Sequence, residues 1–134
     1  MTLAFTSFLA QGDVDNATSF HDKYILNYAS WALSVRSVYI KNTKDINELA
    51  VLRCHNITKT ELVDDILTAS ITPLAIFQID PDKNDTLFYP SADIIHKLTT
   101  SSDRIIFSLV SLDNETITEI SGKDMTVHAS LIRI

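Results

Sequence analysis

The residues best spaced for chemistry lie in one acidic stretch, "DPDKNDTLFYPS", from Asp80 to Ser91. Asp80, Asp82 and Asn84 occupy the first, third and fifth places of an EF-hand-like loop, where oxygen ligands gather around a calcium ion. The rest of that pattern is missing. The sixth place calls for glycine and holds Asp85; the twelfth calls for a bidentate glutamate and holds Ser91. Asp and Asn also dominate ordinary turns, because their side chains bond to nearby backbone. The stretch reads as a solvated turn. Asp80, Asp82 and Asn84 stay as weak cation candidates, and no metal or other cofactor is expected.

Cys54-His55 is the one adjacent pair of soft ligands. Neighbours on a strand point to opposite faces, so the pair is poorly placed to share a metal. His21, His96 and His128 lie far away in sequence and lack ligand spacing. Nucleophilic catalysis calls for a Ser or Cys on a strained turn beside a base, and no G-x-S-x-G stretch is present. With two glycines in the chain, phosphate-cradling loops are absent as well. The expectation is a protein that is not an enzyme.

The bulk numbers point the same way. A chain of 134 residues suits a single domain over 1–134. A composition of 46% hydrophobic and 21% charged residues belongs to a folded chain. Eleven Lys and Arg are scattered along a chain of net charge -6, which argues against direct nucleic-acid contact. An anionic membrane surface is disfavoured for the same reason. No run approaches the length of a membrane span, and the opening "MTLAFTSFLAQGD" lacks a positive leader region, so a soluble chain made in the cytosol is expected. A single cysteine excludes an intrachain disulfide. Asn16, Asn56, Asn84 and Asn114 each begin an N-x-Thr sequon, which reads as a by-product of a Thr- and Ser-rich chain.

The elements that must position these residues are mostly strands. "TLAFTSFL" alternates weakly, and "AQGDVDNATSF" reads as a polar loop. In "SWALSVRSVYI", Trp31, Leu33 and Val35 share one face while Ser34 and Arg36 take the other. After Ser37 the pattern shifts to Val38 and Ile40, which indicates a bulge or a strand buried on both faces. "ELAVLRCHNI", "ITPLAIFQI" and "TLFYP" are further strands, and "SADIIHKL" fits a helical turn or a strand. In "TKTELVDDIL", Thr58 and Glu61 fit a capping box and Leu62 and Ile66 a helical spacing, so a short helix is expected there. "RIIFSLVSL" and "MTVHASLIRI" close the chain as strands; between them "DNET" turns the chain, "ITEI" continues briefly and "SGKD" supplies a second turn at Gly122. With about seven or eight strands and one or two short helices, the fold expected is all-β, a jelly-roll-like β-sandwich.

The opening "FTSFLAQGDVDNATSFHDKYILNYASWALSVRSVYI" and the close "RIIFSLVSLDNETITEISGKDMTVHASLIRI" carry a joint pattern. Phe5, Ser7, Phe20, Trp31 with Leu33 and Val35, Asp113, and Gly122 with Val127 and Leu131 are its fixed points. In this the chain resembles the single jelly-roll capsid proteins, of the penton or minor capsid (vertex) kind, of Maverick/polinton-type and related large eukaryotic DNA viruses. The match covers about half of the chain; "NITKTELVDDILTASI" does not align, and "DNET" stands where the family's closing turn carries glycine. The resemblance implies a structural virion protein that assembles as a trimer or pentamer with other capsid proteins. The alternative is a β-sandwich module of a viral fibre or spike that binds a carbohydrate or receptor. The candidate interface or ligand-loop residues are Tyr39, Phe88, Tyr89, Asp13 and Asp15. Exposed aromatic platforms would favour the binding module, and an apolar stripe along the side of the sandwich would favour the capsomer.

Overall fold

The computed structural model describes the backbone of residues 5–12, 17–26, 31–113, 115, 117 and 119–134, and the side chains of 31–101, 104–113, 115, 117 and 119–134. The strands, in chain order, are β1 (Phe5–Gly12), β2 (Ala17–Leu26), β3 (Trp31–Lys41), β4 (Leu49–Val63), β5 (Ile66–Gln78), β6 (Asp85–Phe88), β7 (His96–Lys97), β8 (Ser102–Val110) and β9 (Met125–Arg133). A single 3₁₀ turn, Gly122–Asp124, precedes β9, and the Ser121 hydroxyl caps it by accepting from the Lys123 N–H.

Pairing is nested about the turn at Asp64-Asp65. β4 pairs with β5, β3 with β6, β2 with β8 and β1 with β9, all antiparallel. The chain is thus one long hairpin, and it is rolled so that β8 also meets β4 and β9 also meets β3. The resulting order is β5-β4-β8-β2-β1-β9-β3-β6, with β7 beside β3. β1 and β2 touch at only two register pairs, Gln11↔Ser19 and Gly12↔Thr18. They part there into two four-stranded sheets, β1-β9-β3-β6 and β2-β8-β4-β5. This is the strand order of a jelly roll, an all-β sandwich built from a wrapped hairpin.

The core lies between the sheets. β3 and β9 supply Leu33, Val38, Ile40, Met125, Val127 and Leu131; the facing sheet supplies Leu52, Cys54, Ile105, Phe107 and Leu109. Each large apolar side chain buried here stabilises the fold by roughly 1.5–3 kcal/mol. The register shift between Val35 and Ser37 is the bulge that the alternation of β3 implies. It changes the phase by one residue, so Val38 and Ile40 face inward and Tyr39 does not. At the open side of the sandwich, the Phe77 ring of β5 stacks on Phe88 of β6, centroids 4.6 Å apart.

Three expectations are corrected. "TKTELVDDIL" is not a helix: Thr58 to Val63 end β4, and Ile66 begins β5. Asp64 and Asp65 have φ of 52° and 63°, the mirror-image backbone that a two-residue hairpin needs. Asp tolerates that conformation, and β-branched neighbours favour strands, so turn chemistry prevails over a coincidental helical spacing. The segment Ala17–Phe20, read as loop, belongs to β2. "ITEI" does not continue a strand; its buried Ile117 and Ile120 are held in a turn by the Ile120 N–H bonding the Ile117 carbonyl at 3.2 Å. In "SADIIHKL" the regular structure is the two-residue strand β7.

The hairpin turn yields a first prediction. Glycine adopts positive φ without the Cβ clash that costs most residues about 1–2 kcal/mol. Asp65→Gly is therefore expected to slow amide exchange at Glu61 and Thr68, a hydrogen-bonded pair of the ladder, several-fold, about 0.5–1 kcal/mol of local stability. Unchanged exchange would contradict the positive-φ turn.

Candidate functional site

The acidic stretch forms the β5–β6 loop, and its geometry is that of a braced turn. The Asp82 N–H donates to Asp80 Oδ1 at 3.0 Å, and Lys83 Nζ lies 3.7 Å from Asp80 Oδ2. The Asp80 N–H donates to the Thr86 hydroxyl at 3.0 Å, and that hydroxyl shares a buried 2.8 Å hydrogen bond with Thr43. Backbone bonds from Thr43 N–H to the Asn84 carbonyl and from Asp45 N–H to the Pro81 carbonyl, both 2.8 Å, tie this loop to the one after β3. Asp80 is thus engaged with its own backbone and a lysine, while Asp82 and Asn84 are exposed. Among the described residues no group of three or more His, Cys, Asp and Glu side chains could hold a metal ion.

The aromatic candidates part company. The Tyr39 hydroxyl donates to Asp85 Oδ2 at 2.7 Å, and this bond, with some burial and the carboxylate's charge, raises the phenol's pKa. Phe88 is half-buried against Phe77. Tyr89 is 67% exposed and alone of the three offers an open ring. Asp13 and Asp15 lie outside the described residues.

Cys54 and His55 point to opposite sides of β4. Cys54 is fully buried, and burial pushes its thiol up to about 12, against a lesser opposing pull from the backbone at Asn56. The thiolate is the reactive form, so Cys54 is expected to react with a thiol reagent only when the sandwich opens; fast native-state labelling would contradict its placement. His55 faces outward across the sheet to β8. Its Nε2 lies 2.9 Å from the Ser108 hydroxyl, which Arg53 Nη2 approaches at 3.4 Å. Residues 53 positions apart in sequence meet here, beyond the reach of any spacing argument. The cluster has the look of a nucleophile–base pair. Yet Ser108 is mid-strand and 7% exposed, with no strained turn to present it.

Burial, and then the charge of Arg53, lowers the His55 pKa; burial lowers that of His96. The unfolded chain therefore takes up protons before the folded one as pH falls below about 6.5. Stability is complete above that pH and declines below it. His55→Gln is expected to flatten the decline in urea midpoint between about pH 7.5 and 5. An unaltered slope would show that His55 is not the group responsible.

Two apolar surfaces remain without cover. One is on β6 and the segment between it and β7: Leu87, Tyr89, Ile94 and Ile95 are all more than half exposed. The other is the distal half of the β4–β5 hairpin. β8 pairs with β4 from Val51 to Cys54, and Thr58 is still tied to the Thr99 hydroxyl, so from Lys59 onward the two strands run on as a ribbon. Leu62, Val63, Ile66 and Leu67 at its tip are exposed. A contiguous apolar patch of a few hundred Å² on a folded chain marks an interaction surface. A shallow cleft of about 340 Å³ lies at one end of the sandwich, lined by Glu48, Leu49, Gln78, Ser111, Leu112 and Asp113.

The strand order defines an all-β sandwich of jelly-roll type. Compared with known proteins, the chain matches no family model and no curated protein. Among the described residues no helix is long and apolar enough to cross a membrane.

Proposed function

We propose that the chain is a structural virion protein, a single jelly-roll capsid or vertex subunit that assembles with copies of itself and with neighbouring capsid proteins. The observation that carries this reading is the nested strand order β1-β9-β3-β6 and β2-β8-β4-β5. It is the architecture that the resemblance of the two chain ends implies, and jelly rolls are a common capsid scaffold. The exposed apolar surfaces at the β4–β5 tip and along β6 support it, since assembly would cover them. Electron microscopy of the concentrated protein tests the reading: closed three- or five-fold rings are expected, and isolated single subunits would count against it.

Tyr89 favours a second reading, a carbohydrate- or receptor-binding module. Its open ring could serve as a sugar platform. Glycan binding by the isolated chain, lost in Tyr89→Ala, would support this alternative over the capsomer.

A further inference from the structure

One strand of the β4–β5 ribbon carries no charge. The chain carries a net -6, yet β5 runs 13 residues, Ile66 to Gln78, without one Asp, Glu, Lys or Arg. It is also the outermost strand of its sheet, with an open hydrogen-bonding edge among the described strands. Soluble proteins blunt such edges with charge, proline or brevity. The edge strand of the facing sheet follows that rule: β6 is four residues long, begins at Asp85 and is followed by Tyr89-Pro90. The other strand of the ribbon follows it too, with Lys59 and Glu61 paired at 4.0 Å. β5 breaks the rule from Ile66 to Thr72; its one proline, Pro73, lies where the pairing with β4 is already irregular.

The register shows what this edge can join. Thr58↔Ile71, Thr60↔Ala69 and Leu62↔Leu67 share one face of the ribbon, which bears no charge; Lys59, Glu61, Val63, Ile66, Thr68 and Ser70 make up the other. Next to a two-residue turn the flanking pair, Val63↔Ile66, is the hydrogen-bonded one. Leu67, Ala69 and Ile71 therefore turn their N–H and C=O groups to the open side. We infer that this edge, Ile66–Thr72, is a docking strand for a second copy of the chain, β5 against β5 in antiparallel register about Ala69.

A second copy fits on three counts. An uncharged strand meets no like charge in its own copy, whereas the remaining surface of this acidic chain repels itself. The segment is centred on Ala69, so Leu67 of one copy stands opposite Ile71 of the other and the small Ala69 faces its equivalent. The two ribbons become four strands, and Leu62, Leu67 and Ile71 from both copies form one apolar face, larger than a lone two-stranded ribbon can stabilise in water. The contact is isologous and closes at two copies. The inference deepens the self-assembly reading and rests on it, naming the strand through which copies join.

Sedimentation velocity over a concentration series tests it on the full chain. Ala69→Pro removes an outward N–H without touching the β4–β5 ladder, and Ala69→Lys sets two like charges face to face. Both are expected to raise the dissociation constant of the dimer about tenfold or more, with near-UV circular dichroism unchanged. Lys59→Ala, on the far edge of the ribbon, is expected to dimerise like the wild type. A wild-type chain that stays monomeric, growth into open fibres without a dimer, or dimers that survive both Ala69 variants would overturn the inference. Rings of three or five that form equally in the wild type and both variants would leave the capsid reading standing and remove β5 pairing. Dimers abolished by the variants, with no such rings, would do the reverse.

Discussion

Phe107→Ala is expected to destabilise the fold by about 3–5 kcal/mol, the cost of an emptied aromatic site in a close-packed core. Phe107 is the largest of the fully buried side chains. It sits on β8, which lies inside its sheet with β2 on one side and β4 on the other; Thr18 and Cys54 are its register neighbours. Its ring belongs to the layer that joins the two sheets, so no surface is free to collapse into the space it leaves. For a domain whose total stability is on the order of 5–15 kcal/mol, this loss is a large share. Urea unfolding gives the measurement: the midpoint falls steeply while the slope holds. Phe107→Leu, which keeps most of the volume, is expected to cost about 1.5 kcal/mol or less. Leu67→Ala, at the exposed hairpin tip, is expected to change monomer stability by less than about 0.5 kcal/mol. Equal losses at Phe107 and Leu67 would mean that the core does not lie between the two sheets.

Asn56→Ala is expected to cost about 2–5 kcal/mol, although it deletes a polar side chain. β4 pairs with β8 along Val51–Cys54, and the ladder stops there. Beyond it, the Asn56 side chain replaces the missing rungs. Its Nδ2 donates to the Arg104 carbonyl at 2.9 Å, and its Oδ1 accepts the Ile106 N–H at 3.2 Å. The Asn56 carbonyl accepts the Thr99 N–H at 2.9 Å and the Thr99 hydroxyl at 3.1 Å, which anchors the loop after β7. Alanine would leave a donor and an acceptor on β8 unsatisfied, each costing about 1–3 kcal/mol. Asn56→Asp separates the two bonds: the carboxylate can still accept from Ile106 but cannot donate to Arg104. Its cost should exceed about 1 kcal/mol and shrink as pH is lowered and the carboxyl gains a proton. A neutral Asn56→Ala would show that water satisfies these groups. Asn56 also begins a sequon, yet it is buried and its amide nitrogen is committed to Arg104, so the folded chain offers no acceptor there.

Much of the architecture was written in alternation. Trp31, Leu33 and Val35 announce β3, the change of phase after Ser37 announces its bulge, and Val127, Ala129 and Leu131 announce the inward face of β9. These positions are legible because a half-buried strand must repeat every two residues. The β4–β5 arm escaped notice because neither of its faces packs on the body, which leaves no burial pattern to read. Its signal is the Asp64-Asp65 pair between two β-rich runs, a turn signature masked by the spacing of Thr58, Glu61, Leu62 and Ile66. The Arg53–His55–Ser108 and Asn56–Arg104 contacts were hidden for another reason. They join positions some fifty residues apart, and only the register of β4 against β8 brings them together. Of the surface candidates, Tyr39 and Phe88 are committed to Asp85 and Phe77, a distinction that composition cannot make.

Assembly is the role proposed for this jelly roll. The uncovered segment after β6 with Tyr89, Ile94 and Ile95, the apolar hairpin tip and the uncharged β5 edge all leave surface that a partner would bury. The most direct measurement is the solution mass of the purified chain by light scattering over a concentration series. The predicted result is a discrete oligomer: a dimer through β5, a trimer or pentamer, or that number doubled through β5. A mass of one chain at every concentration would contradict it.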